Sequence, residues 1–293
     1  MAESTEEPRG ILKGAIDLHL HAAPSVFPRA VNDLEAAESA SQWGMAGFVL
    51  KAHEGSTAER ASIANHAAPG GRAVGSIVLN QFVGGLNPLA VEMALALGAR
   101  VVFLPTIHAA NHIRHFGGPT FSRSVPSQFR PVEGIELLDA GVRLRPEVLD
   151  ILDIVRDAGA VLATGHISPM ETDRLVSAAA ERGVEKIVVN HPDFAATRMD
   201  IETQVALARR GAYIEFPVLY HRPEWAGVSH EDLVARIPRI GAGRFVLSSD
   251  FGQKDNGNPW EALAREVSAL LRAGLKEQDL DTILRRNPGR LVG

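Results

Sequence analysis

Four short segments of this chain end a hydrophobic run with a residue type that binds metal. They are Asp17-Leu18-His19-Leu20-His21, Gly165-His166, Val188-Val189-Asn190-His191-Pro192 and Leu247-Ser248-Ser249-Asp250. In a β-strand, residues i and i+2 point to the same side. His19 and His21 can therefore present two imidazoles to one point, with Asp17 a layer below. A third histidine and a carboxylate arriving from other strands would complete a metal site that keeps one position open for water. A lone His-x-His arises by chance in many chains. The pair on a first strand, two later strand-end histidines and a last-strand aspartate, in this order, form a far stronger signal.

These residues need strands that end at one place. Short β-rich runs fall at Ala15–His21, Gly47–His53, Ala73–Asn80, Arg100–Thr106, Ala160–His166, Lys186–His191, Ala212–Pro217 and Arg244–Asp250. Several are almost continuously apolar, such as Val101-Val102-Phe103-Leu104, as expected of parallel strands buried on both faces. Amphipathic stretches alternate with them: Val31–Trp43, Thr57–Ala68, Pro88–Leu97, Pro146–Ala158, Pro169–Arg182, Ile201–Arg210, Ser229–Ile240 and Pro259–Arg272. Pro88, Pro146, Pro169 and Pro259 suit first helical turns. Eight β-then-α units imply the α/β class and a single (β/α)8 TIM barrel over residues 13–293, preceded by a flexible arm over 1–12. One connection is abnormal: Ile107 to Arg145, after the fourth strand, is far longer than a usual βα loop. It holds His108, Asn111, His112, Arg114, His115 and Arg123, and should overhang the barrel mouth.

The chain has 293 residues, ample for a large core. Net charge is -5, which gives no general attraction to nucleic acid or anionic lipid. There is no cysteine, so disulfides, thiolate metal sites and a cysteine nucleophile are excluded. The opening MAESTEEPRG lacks an apolar signal core, and no stretch is long enough to span a membrane. A cytoplasmic location is expected, with a small molecule as partner; self-association is left open. There is no G-x-G-x-x-G, no phosphate-binding G-x-x-x-x-G-K-[ST] and no nucleophile elbow around Ser248-Ser249-Asp250, so no organic cofactor is expected.

Of the 11 histidines, His19, His21, His53, His108, His166 and His191 fall at or just beyond strand C-termini, the rim where barrel enzymes work. One buried histidine is usually structural; six converging on one rim imply a site. Here the chain resembles the amidohydrolase superfamily, through Asp17-x-His19-x-His21, His166, His191 and Asp250. The closing Arg286-Asn287-Pro288-Gly289-Arg290-Leu291-Val292-Gly293 is similar to that family's Asn-Pro-Ala-x-Leu-Leu-Gly. The resemblance spans residues 15 to 293. It implies a distorted TIM barrel with one or two divalent metals, most often zinc, with manganese or iron as alternatives. It also implies water-driven attack on amide, ester or related bonds, while some relatives are decarboxylases or other lyases. By the same resemblance His19, His21 and Asp250 would hold the more buried metal. His166 would join them in a mononuclear site, or help hold a second ion with His191. Relatives often place a carboxylated lysine or a glutamate on strand four; Val101-Val102-Phe103-Leu104-Pro105-Thr106 offers neither.

Lys51 could compensate. It follows Phe48-Val49-Leu50, and a desolvated lysine can lose its proton and take up carbon dioxide as a carbamate ligand. The alternative is an ammonium paired with Asp17 or with a substrate carboxylate. His53, two residues on, shares its face. Bound metal lowers the pKa of water to about 7. Asp250 can then accept the water proton and pass it to the leaving group. His191, where it is not a ligand, can polarise the reacting carbonyl, and Asp17 can orient the ligands from below. Lys51, His53, His108, His112, Arg114, Arg123, His221 and Arg222 are the candidates for binding an anionic substrate, since guanidinium grips carboxylate by two parallel hydrogen bonds. Tyr213, Tyr220 and Trp225 read as packing residues. The leading expectation is a metal-dependent hydrolase of a small C–N or C–O bond. A metal-dependent lyase such as a decarboxylase is the alternative on the same barrel, and a non-catalytic ligand-binding barrel is the third.

Overall fold

The computed structural model describes residues 10–121 and 130–293. The alternation of apolar runs and amphipathic stretches folds into an eight-stranded parallel sheet in the order β1 to β8. The strands are β1 (Ile16–Leu20), β2 (Gly47–Leu50), β3 (Ala73–Val78), β4 (Ala99–Phe103), β5 (Val161–Ala163), β6 (Ile187–Val189), β7 (Tyr213–Pro217) and β8 (Phe245–Ser248). β8 returns to β1 through a Leu20–Phe251 bridge. The His21 N–H donates to the Phe251 carbonyl, and the Asp250 N–H to that of His19, both at 2.9 Å. The sheet is thus closed into the (β/α)8 barrel that the sequence implies.

The strands read as apolar because both faces are covered. Inside, Leu18, Val49, Val78, Val101, Phe103, Val161, Ala163, Val188, Tyr213 and Val246 pack together, joined by Leu291 from the C-terminal helix Asn287–Val292. That helix is fixed by Asn287, whose amide donates to the carbonyls of Ala242 and Phe245 at 2.7 Å each. Outside, a larger apolar cluster lies between sheet and helices. The helices start where their first-turn chemistry dictates. Asn32 and Ser168 form capping boxes with Glu35 and Glu171. Pro88, Pro146, Pro169 and Pro259 each sit in a first turn.

Three local features depart from the sequence reading. The β1–β2 register is irregular between Asp17 and Leu20. This resets the side-chain alternation: Leu18 joins the inner cluster, yet His19 beside it also turns inward, against Phe103. Second, the ladders end before the rim residues. The backbone leaves the extended conformation there, with φ of 61° at Gly165, 54° at His191 and 51° at Asp250. Gly165 must be glycine, because a Cβ would collide with the carbonyls of Leu104 and Pro105. Third, residues 11–13, read as arm up to Leu12, are packed on the barrel: Leu12 is fully buried, and Arg285 binds the carbonyls of Ile11 and Lys13 at 2.7 Å each. The long connection after β4 contains the helix Ala110–Phe116, whose start is tied to Ile135 through its main chain. No helix among the described residues is long and apolar enough to cross a membrane.

Gly252 follows Asp250 by two residues, at φ 119°, with its α-carbon face against the His21 carbonyl, so that any Cβ would overlap that oxygen. Gly252→Ala is expected to destabilise the fold by about 3 kcal/mol or more, through backbone strain and overpacking together. Chemical denaturation measures this; a loss within about 0.5 kcal/mol would mean that the β1–β8 junction is looser than described.

Candidate metal centre

At the strand C-termini three side chains meet. His19 Nε2 and His21 Nε2 each lie 3.2 Å from Asp250 Oδ1. One ligand atom from each of the three falls within 4.8 Å of the others, and a second such group is His19, His191 and Glu215. Each arrives from its strand for a backbone reason. His19 and His21 are carried inward past the β1 irregularity, while the positive φ of Asp250 turns its carboxylate over the barrel end.

Neighbouring groups decide which imidazole lone pairs are available. His19 Nδ1 donates to Glu215 Oε1 at 2.9 Å, which leaves Nε2 unprotonated in the neutral ring. Glu215 also accepts from Ser248 Oγ at 2.7 Å and from the Asn190 amide at 2.8 Å. Burial would raise its pKa, yet the electrostatic pull and hydrogen bond of the His19 N–H, with the Asn190 amide, hold its carboxyl well below the usual range. A similar relay serves His166. His112 Nε2 donates to the Thr120 carbonyl at 2.8 Å, so its Nδ1 accepts from His166 Nδ1 at 2.9 Å, and His166 Nε2 is left free. Burial pushes the pKa values of His21, His53, His166 and His191 far down, and that of His112 to about 4. Neutral imidazoles are the form that binds metal.

Lys51 continues β2 inward beyond Val49. Its Nζ lies 2.9 Å from His19 Nε2 and 4.9 Å from the Phe103 ring centroid. No carboxylate forms an ion pair with it among the described residues; burial lowers its pKa to about 8 against the pull of Asp250 and Glu215. An amine proton thus points at the same lone pair that a metal would use. His191 Nδ1 is 2.7 Å from Tyr220 Oη, and its Nε2 is buried without a hydrogen-bond partner. A buried imidazole nitrogen left unpaired costs about 1–3 kcal/mol. The His/Asp donor set and the oriented Nε2 atoms of His19 and His166 fit a divalent cation, and the His191 nitrogen is left to face a group in the cavity above.

Above these groups lies a cavity of about 290 Å³, lined by His21, Arg29, Lys51, His53, His166, His191 and Asp250, with Phe27, Phe121, Phe194, Tyr220 and Trp225 as an aromatic collar. Arg29 Nη2 is 3.4 Å from His21 Nδ1. Burial lowers its pKa to about 10, so it stays charged at neutral pH. His53 is held through Nδ1 by Thr106 at 2.8 Å and stacks on His21 at 4.9 Å.

Several candidates lie elsewhere. Arg114 pairs with Glu136 at 2.6 Å and lines a separate cleft with Gln81 and Glu133. It follows His112 by two helical positions, about 200° around the axis, so only one of the two can face the site. His108 is turned to the Gln81 N–H at 3.2 Å. His221 bonds the Val228 carbonyl at 2.7 Å, and Arg222 bonds Asn256 over the Phe251 ring; neither lines the cavity. Arg123 lies outside the described residues. Asp17 braces backbone rather than the imidazole rings: Oδ1 accepts the N–H of His19 at 3.1 Å and of Ser249 at 2.9 Å. Tyr220 and Trp225, read as packing residues, are part of the cavity wall. Sequence reasoning missed Glu215 and Arg29. The signal for Glu215 was present, since a glutamate inside the apolar run Tyr213-Ile214-Glu215-Phe216 is buried and must be paired.

A family of unknown function (DUF6282) matches residues 14–215. No curated protein matches the chain. Solved structures similar to it in fold include a putative 2-pyrone-4,6-dicarboxylic acid hydrolase from Pseudomonas putida, at 17% identity over 96% of this chain and 97% of that one, with TM-score 0.60. The organophosphorus hydrolase of Deinococcus radiodurans aligns at 14% identity over 97% and 94%, TM-score 0.61. An amidohydrolase from Pseudomonas aeruginosa aligns at 12% identity over 99% and 98%, TM-score 0.61. The barrel fold is thus shared with these solved hydrolase structures.

Glu215 is the carboxylate that fixes the His19 tautomer, so Glu215→Gln is expected to weaken metal retention about 10- to 100-fold. Competition against a chelator reads this directly. Retention equal to wild type would detach Glu215 from the ligands.

Proposed function

The chain belongs to the DUF6282 family, and from that premise we propose that it is a metal-dependent hydrolase. It cleaves a C–N bond (amide or cyclic amide) or a C–O bond (ester or lactone) of a small anionic molecule with a planar or aromatic body. The observation that carries this reading is the convergence of His19 Nε2 and His21 Nε2 on Asp250 Oδ1 at the floor of a lined cavity. His19, His21 and Asp250 would hold a divalent cation, zinc by donor type, with His166 Nε2 oriented to assist. Such a cation supplies Lewis acidity and brings water to a pKa of about 7.

The remaining work falls to side chains. Asp250 accepts the proton of the attacking water and returns it to the leaving group. Burial raises its pKa while His19 and Lys51 oppose that rise; a base poised in this way can both take and give a proton. Burial keeps the Tyr220 phenol protonated, its pKa pushed well above 10, so it can donate to His191 Nδ1. In that tautomer His191 Nε2 carries the hydrogen and polarises the substrate carbonyl. Arg29 takes the part expected of the loop arginines and binds the substrate anion, while the aromatic collar packs the body and excludes water. Lys51 is neutral once a cation sits at His19, since an ammonium 2.9 Å from the ligand atom would repel it. The neutral amine is the form that adds carbon dioxide to give a carbamate ligand.

The decisive experiment incubates zinc-loaded protein with lactones, esters, amides and cyclic imides, with and without an aromatic carboxylate, and identifies the products. Acid with alcohol or amine is expected, at lower KM for the carboxylate-bearing members. Asp250→Asn is expected to lower kcat about 100- to 10,000-fold with little change in KM. Release of carbon dioxide instead would make the protein a decarboxylase, and near-normal turnover of the zinc-loaded Asn variant would place the proton elsewhere.

Lys51→Met separates the two states of Lys51. Loss of about one metal per chain is expected from a carbamate ligand. Full metal retention with lost turnover would instead assign Lys51 to the substrate, and retention of both would remove it from the site.

A further inference from the structure

Away from the barrel mouth, the described residues bring one more set of imidazoles and a carboxylate together. His221 ends the short turn Val218–His221 after β7, His230 opens the helix His230–Ile240, and Glu266 lies in the helix Pro259–Arg272. One ligand atom from each falls within 4.8 Å of the others. His230 Nε2 is 2.9 Å from Glu266 Oε2. The His221 and His230 rings stack with centroids 3.9 Å apart and planes 20° apart.

The ring of His221 is oriented for a ligand. Its Nδ1 donates to the Val228 carbonyl at 2.7 Å, which places the proton there and leaves the Nε2 lone pair free. That Nε2 is buried and has no hydrogen-bond partner. A backbone carbonyl on the far nitrogen is the usual support of a metal-binding histidine, and a buried acceptor without a donor is costly unless a ligand takes it. Two imidazoles and one carboxylate, with no thiolate, form the donor set of zinc and similar divalent ions.

We propose that His221, His230 and Glu266 form a peripheral zinc site that clips together the two ends of the loop between His221 and His230. The loop carries Trp225, part of the cavity wall, and Tyr220 precedes its first ligand and bonds His191. The loop is already drawn in on itself, since the Val228 N–H donates to the Tyr220 carbonyl at 3.0 Å. A metal bound at both ends removes the remaining freedom of the closed segment. It also anchors the loop to the helix of Glu266, and so steadies the collar from outside the reaction site. The assignment does not depend on what the barrel mouth binds.

The test uses the full chain, stripped with a chelator, reloaded with zinc chloride and desalted. Zinc per chain is measured by elemental analysis for wild type, His230→Gln and Glu266→Gln, with circular dichroism to confirm folding. Two variants on different helices guard against one failing to fold. Each is expected to hold one zinc fewer than wild type. Zinc is also expected to slow amide exchange over residues 222–229 about tenfold in wild type and not in the variants. A chain whose centre binds nothing would still show the one peripheral equivalent, so this proposal and the proposed function fail separately. Equal zinc content in all three proteins would overturn it and leave the cluster as a ring stack with an ion pair. Loss of one zinc with unaltered exchange would overturn the clip.

Discussion

The Asp17 carboxylate joins the first strand of the barrel to the last. It accepts the N–H groups of His19 and Ser249 and the Ser249 hydroxyl, with no exposure to solvent. These strands lie more than 220 residues apart in sequence, so closing them carries a large entropic cost. At the seam, regular pairing gives way to a few main-chain bonds, and an unpaired buried N–H would be expensive. Asp17 removes that cost and sets His19 and His21 against Asp250. Burial pushes its own pKa up to about 6, against the Ser249 and His19 hydrogen bonds that pull it down. The geometry of the candidate centre is therefore a by-product of barrel closure: the bonds that hold the fold also hold the ligands.

Much of this was legible in the sequence, for a simple reason. Parallel strands covered on both faces must be short apolar runs, and the residues that break each run at its C-terminal end are those that cannot be core. His19, His21, Lys51, His166, His191 and Asp250 stand out in this way as candidates, and the structure brings them together at the barrel mouth. Errors arose where position depends on tertiary detail. The irregularity in β1 altered the alternation that placed Asp17 below the histidines. Arg114 sits on a helix whose inward positions fall to His112, and a loop of unknown conformation gave no means of choosing between them. Arg29 reaches the cavity because residues after β1 fold back, with the Ala23 N–H on the Val31 carbonyl and the Ala30 N–H on that of Gly252. Nothing local encodes that return. Glu215 was overlooked for the opposite reason: it lies inside an apolar run rather than at its end, although its charge alone required a buried partner.

The charge pattern of the mouth follows from burial acting on two kinds of group. Removing water suppresses the protonated forms of His21, His53, His166 and His191 and weakens that of Lys51. Each suppressed cation leaves a lone pair. Glu215 stays ionised because His19, Asn190 and Ser248 surround it, and Asp250 is held among His19, His21 and Lys51. The result is a pocket rich in lone pairs and carboxylate oxygens and poor in protons. Among the described residues Lys51, which donates to His19 Nε2, is the cation at the ligand atoms themselves, and it is more readily neutralised than Arg29. Arg29 keeps its charge a step further out. A divalent cation would replace at the centre the positive charge that desolvation removes from the imidazoles. The substrate anion would then meet the permanent charge of Arg29 at the rim. On the proposed reading, desolvation divides the two tasks, with the metal held at the floor and the anion at the wall.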